Sequence, residues 1–250
     1  MSMHPTSAVA DLAPSGRLRA AINFDNTILA SKDAVSGEPG GISVELAREV
    51  ARRLGVAIDY VPYHAAGKVV EGLQSNAWDI CFLAIDPVRA KLISFTAPYV
   101  VIEGAYLVTD DSPIRDNAEV DRPGVRVAVS TGSAYDLFLS RELKYASLVR
   151  ASSAKDVVGM YVAQKLEVAA GVRPMLEADV AAMAGLRMLP GRFMSINQAM
   201  GTPRGRDAGA AYLREFVEDM KASGFVADLL ARNKIVGAAV ATRENAAGGR

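Results

Sequence analysis

Arg89 stands three residues beyond Asp86, directly after the apolar run Ile80-Cys81-Phe82-Leu83-Ala84-Ile85. Such a run reads as a buried strand. Asp86 then suits a helix N-cap, Pro87 the first helical position, and Arg89 rides on the first turn. That order delivers a guanidinium to the mouth of a sheet. The planar fork of arginine matches a carboxylate, and backbone N–H groups at a helix start add anion affinity. A small carboxylate ligand is the chemistry these residues fit. The same spacing lets Arg89 pair with Asp86 at i, i+3, or lie on a solvated helix face, and the segment by itself leaves those readings open.

Other chemistries find little support. The single cysteine, Cys81, lies inside the apolar run, and His4 and His64 are the only imidazoles. No zinc-ligand spacing, phosphate loop or Gly-x-Ser-x-Gly elbow occurs, and Gly201-Thr202-Pro203-Arg204-Gly205 has the wrong spacing for a dinucleotide fingerprint. No metal or cofactor is expected, and neither is a Cys–His nucleophile. The 250 residues carry 28 basic and 28 acidic side chains. Zero net charge supplies no general field for nucleic acid or an anionic membrane, so no nucleic-acid partner is expected.

The elements that must position Arg89 follow from periodicity. Leu18 to Phe24 reads as a first strand. After the turn-rich Ser36 to Gly41, Ser43 caps a helix whose apolar positions Val44, Ala47, Ala51 and Leu54 fall at helical spacing, and Gly55 ends it. Val56 to Tyr63 is a second strand, Ala66 to Leu73 a helix, and Trp78 to Ile85 a third strand. Extended crossings around Val100 to Val108 lead through a polar loop, Asp110 to Gly124, to a strand Val125 to Val129. The turn Ser130-Thr131-Gly132-Ser133 opens a helix to about Leu143, with Ser133 as N-cap and Asp136 at its third position, a variant of the capping box. The last long helical pattern is Asp207 to Ser223. Alternation of this kind predicts an α/β protein with mainly parallel sheets.

In this order the pieces resemble the type II solute-binding proteins, in the amino-acid-binding branch of family 3 that serves ATP-driven (ABC) uptake transporters. The pieces are Leu18-Arg19-Ala20-Ala21-Ile22-Asn23, then Gly41-Ile42-Ser43-Val44-Glu45-Leu46-Ala47, the Trp78 to Tyr99 stretch, Gly124 to Ser133, and Phe216 to Leu230 with Gly224. They span roughly Leu18 to Val236. The resemblance implies a two-lobed fold, each lobe a mainly parallel sheet flanked by helices, with the ligand cleft between the lobes. Residues 17–102 plus 201–239 are expected to form lobe 1 and 103–200 lobe 2, with flexible ends at 1–16 and 240–250.

The resemblance also implies site residues. Arg89 would clamp a ligand α-carboxylate, close to Ala84 and Asp86, and Gly132, Ser133 and Ala134 would offer hydrogen bonds from the second lobe. Ala84 stands where the family often has a hydroxyl, and Val172 where it usually has an acid for the ligand ammonium. An unpaired buried ammonium costs about 1–3 kcal/mol, so either another acid substitutes or the ligand lacks an amine. Asp25 and Glu103 are the candidate substitutes, each with a plainer alternative as a turn residue or a solvated carboxylate. Lys68 and Arg173 are candidate positive groups, and Lys68 reads more readily as a surface lysine. Phe24, Phe82 and Tyr135 are candidate apolar walls, with Asn197 and Gln198 weaker candidates near the return crossing.

The implied function is the substrate-binding component of an uptake transporter, not an enzyme, closing on a small carboxylate or amino acid. A permease is the implied partner and a monomer the expected state. The rivals are a cyclohexadienyl-dehydratase-like enzyme, with Glu103 or Asp25 as general acid, and a ligand-sensing module. The resemblance places the protein in the periplasm. Met1 to Arg19 carries no apolar block of signal-peptide length, so no export signal is expected in the chain as written, and a cytoplasmic location stays open.

Overall fold

The computed structural model describes residues 5–242, so positions 243–250 of the expected flexible tail lie outside the described residues. The chain divides into two units, one built from the stretch up to Val101 and again from Asn197, the other from Ile102–Ile196. In chain order, helix α1 (Pro5–Leu12) precedes β1 (Arg17–Asn23), the short pair β2 (Ser31–Lys32) and β3 (Pro39–Gly40), α2 (Ile42–Leu54), β4 (Ala57–Tyr63), α3 (Ala66–Glu71) and β5 (Ile80–Ala84). Strand β6 (Ile93–Thr109) leads into the second unit, which holds β7 (Arg126–Ser130), α4 (Ala134–Glu142), β8 (Ser147–Ala151), α5 (Asp156–Ala163), β9 (Val168–Val172), α6 (Arg173–Ala182) and β10 (Leu186–Met188). Strand β11 (Met194–Pro203) leads back to α7 (Asp207–Ala222), α8 (Phe225–Arg232) and β12 (Ala238–Val240).

In the first unit the strands run β4-β1-β5-β11. β1 is parallel to both neighbours, and β11 lies antiparallel to β5 with Gln198 opposite Ala84. In the second unit the order is β6-β9-β7-β8, with β7 parallel to β8 and β9, and β9 antiparallel to β6. The parallel pairs join strands that have helices between them in the chain, and the long strands β6 and β11 supply antiparallel pairs to β9, β10 and β5. Ala21, Val69, Trp78, Cys81, Leu83 and Ile93 form a core in the first unit. Ala105, Leu107, Ala128, Val158, Tyr161, Ala169 and Leu176 are among those that form one in the second.

Helix α2 starts two residues earlier than the sequence pattern predicts. Gly41, at φ 95°, is its N-cap, and Ser43 is buried within it. A Cβ at Gly41 would lie 2.7 Å from the Leu29 carbonyl oxygen, so only glycine fits the approach. Gly55 closes the helix in the left-handed conformation, as its position after Leu54 predicts.

From Pro5 on, the N-terminal segment is not a flexible arm. Over Pro5–Leu12 it forms α1, which packs on α7 with Ala8 and Leu12 fully buried. Asp11 Oδ2 accepts the Gly209 N–H at 2.9 Å, and Arg206 donates to the Asp11 carbonyl and, at 2.7 Å, to Asp79 Oδ1. Asp79 is fully buried and also takes a forked pair of bonds from Arg19. One carboxylate therefore ties β1 and the approach to β5 to the start of α7, and α1 is bound to that same corner.

Candidate ligand-binding site

At the end of β5 the chain leaves the sheet and turns sharply. Asp86 Oδ1 accepts the Val88 N–H at 2.8 Å, an Asx turn, and the chain then makes a single 3-10 turn, Arg89–Lys91, before β6 begins. The predicted α-helix is absent because the short span 85–92 leaves room for one turn only. So brief a turn has little aligned dipole, which leaves the guanidinium as the source of positive charge here. Arg89 is 2% exposed, and its Nη1 donates to the Ala84 carbonyl at 3.0 Å. Burial pushes its pKa down to about 10, opposed by the nearby charge of Asp86, so it keeps its proton at pH 7. A solvated face for Arg89 is thereby excluded, and Asp86 is its electrostatic neighbour. Ala84 contributes a backbone oxygen that fixes the arginine.

The other first-unit candidates separate by burial. Phe24 and Asp25 are both buried just after β1. The Phe24 ring lies 4.9 Å from Lys32 Nζ, and the Asp25 N–H donates to Asn23 Oδ1. Phe82 packs edge-on against Tyr99, 6.3 Å between ring centroids, and belongs to the core. Gln198 is buried opposite Ala84, while the Asn197 carbonyl accepts the Ile85 N–H. Lys68 is exposed on α3 and pairs with Glu71 at 2.8 Å, one turn along the same surface. Cys81 is buried, and desolvation raises its thiol pKa, which removes it as a nucleophile.

In the second unit Gly132, at φ 68°, turns the chain from β7 into α4. Ser133 caps the helix, its Oγ accepting the Asp136 N–H at 3.0 Å. Asp136 reaches back, and its Oδ2 accepts the Gly132 N–H at 2.8 Å. The Ser133 N–H donates to the Ser130 carbonyl at 3.1 Å. Two amides expected to face a ligand are thus engaged within the turn, and Ala134 and the buried Tyr135 begin α4.

Val172 ends β9, opposite Gly104, and serves as the buried N-cap of α6. The next residue, Arg173, donates through Nε to Glu103 at 2.7 Å and through Nη2 to the Gly191 carbonyl, and Arg192 meets Glu103 at 3.1 Å. Glu177 lies 3.6 Å from Arg173. The hydrogen bond from Arg173, aided by Arg192 against the effect of partial burial, holds the Glu103 carboxyl below its usual range. Glu103 is therefore paired with two arginines, where the sequence reading offered a site acid or a solvated carboxylate. A groove of about 390 Å³ in the same unit is lined by Thr109, Ser112, Glu119, Arg122, Leu166 and neighbours, none of them a predicted site residue.

The family model of the bacterial extracellular solute-binding proteins, family 3, matches residues 25–233. The chain belongs to this family. Solved structures agree on the fold. The solute receptor for L-cysteine of Neisseria gonorrhoeae aligns with TM-score 0.76 at 19% identity, covering 90% of this chain and 92% of that one. The amino acid ABC transporter substrate-binding protein AbpA of Streptococcus pneumoniae, bound to L-arginine, gives 0.75 at 18%, covering 88% and 95%. An ancestral amino acid-binding protein described as a precursor of cyclohexadienyl dehydratase gives 0.74 at 22%, covering 90% and 98%. Family 3 proteins are extracellular by description, and among the described residues no helix is long and apolar enough to cross a membrane. Two polar groups in this family 3 chain escaped the sequence reading, Arg150 on Asp136 and Arg192 on Glu103. Each pairs across many residues, and no local spacing signals it.

Proposed function

We propose that the chain is the solute-binding component of an uptake transporter, taking a small carboxylate of the amino-acid class. Arg89 in the first unit and the start of α4, with Ser133 and Ala134, in the second supply the grip on the carboxylate. The observation that carries the reading is Arg89: a buried guanidinium, charged at pH 7, held at the end of β5 by a backbone carbonyl. The Ala84 oxygen braces the guanidinium and orients its fork at the end of the strand. Membership of family 3 and the ligands of its structural relatives support the same class. The implied partners are that ligand and a membrane permease, and the implied place is outside the cytoplasmic membrane.

Calorimetric titration with L-arginine, L-cysteine and glutarate tests this. Arg89→Ala is expected to weaken binding of whichever acid the wild type takes by at least about a hundredfold, the order of a charge-assisted bidentate contact. Circular dichroism should show the fold intact. Unchanged affinity in that variant would remove Arg89 from the site.

A further inference from the structure

The start of α4 carries an anion of its own. Asp136 is 4% exposed, and its carboxylate accepts the Gly132 N–H at 2.8 Å, the Ser140 hydroxyl at 3.2 Å and the Arg150 Nε at 3.0 and 3.2 Å. Arg150 Nη2 lies 2.9 Å from the same carboxylate and donates to Ser140 Oγ, also at 2.9 Å. Arg150 comes from β8, where it stands opposite Val129 of β7, so the guanidinium crosses from a neighbouring strand to the helix start. Its side chain is 44% exposed while that of Asp136 is 6% exposed.

This arrangement poses an electrostatic problem. Asp136 fixes Gly132 and satisfies the first turn, which suits a helix start, but an unbalanced carboxylate there repels any second anion brought to the same amides. We propose that Arg150 is a positioning residue for ligand binding: by neutralising Asp136 it keeps the first turn of α4 attractive to a ligand carboxylate while Asp136 holds the turn rigid. The inference rests on the reading that this turn meets the ligand.

The pair makes opposite predictions for its two members, which a purely structural role does not. The full chain is titrated calorimetrically with L-arginine, L-cysteine and glutarate, and melting temperatures are measured alongside. Arg150→Gln should weaken binding about tenfold and Asp136→Asn tighten it about two- to fivefold, the scale of one nearby charge at a partly exposed site. Arg150→Lys should stay within about twofold of wild type, and the double variant Asp136→Asn/Arg150→Gln should return to within about threefold. Both single variants are expected to melt lower. Weakening in both, in step with the melting temperatures, overturns the proposal. If Arg89→Ala abolishes binding while the opposite shifts fail to appear, only this inference falls. If no probe binds the wild type, or Arg89→Ala changes nothing, the underlying reading falls and carries this one with it.

Discussion

Val172 sets the sharpest question at the scale of single residues. It is 8% exposed at the N-cap of α6, a position where Asp would both cap the helix and offer a charge. The nearest carboxylate along the register, Glu103, is already committed to Arg173 and Arg192. Val172→Asp is therefore expected to raise affinity for L-arginine and L-cysteine about tenfold, the worth of one charged hydrogen bond, and to leave glutarate unimproved. Equal shifts for all three, measured by calorimetry, would place position 172 away from the ligand amine. The type and place of Arg89 were legible from the sequence because a strand, a turn former and a fork-shaped cation stand in one run. Its setting was not. Asp86 and Pro87 suit a helix start, but the closeness of β6 allows one 3-10 turn, and tertiary length decided against local propensity. Lys68 is met at the surface by a partner one turn away, Glu71.

Elements were easiest to read where one face is buried. The stripe Val44, Ala47, Ala51 and Leu54 marks α2, and all four side chains are buried. What periodicity could not supply is the backbone contact that starts the helix. At Gly41, φ 95° and the closeness of Leu29 leave no space for a methyl group, and Gly41→Ala should destabilise the protein by about 2 kcal/mol or more, read from urea unfolding. Helix α1 was missed because its flanking turn residues outweighed the one signal present, Ala8 and Leu12 spaced four apart, both of which are buried on α7. The corner that holds α1 depends on Asp79. Burial disfavours its charge, yet hydrogen bonds from Arg19 and Arg206 prevail and hold its carboxyl below the usual range. A depressed carboxyl contributes stability above its unfolded pKa and loses it as pH falls through the folded value. Asp79→Asn should then cost about 3 kcal/mol at pH 7, as breaking a buried pair does, with the difference from wild type shrinking below about pH 4. A penalty independent of pH would mean that packing, and not charge, holds the corner.

Across the whole molecule the charges cancel, 28 basic against 28 acidic, giving a formal net charge of zero at pH 7. The local picture repeats this balance. Asp79 is matched by Arg19 and Arg206, Glu103 by Arg173 and Arg192, Asp136 by Arg150, and Glu167 by Arg126. A protein arranged in this way projects little net long-range field and is expected to draw charged ligands only weakly from beyond a screening length of about 8–10 Å. On the proposed reading, recognition is decided at contact, and it should show in the dissociation rate more than in the association rate. Stopped-flow measurement with glutarate, a dianion that any general positive field would accelerate, is therefore expected to give an association rate that changes less than about twofold between 20 and 300 mM salt. The Arg150→Gln variant, which unmasks Asp136, should instead associate more slowly at low salt and recover as salt is added. A steep fall in the wild-type rate with salt would reveal a steering field concentrated at the site, and would transfer part of the selectivity for acids from close contact to the approach.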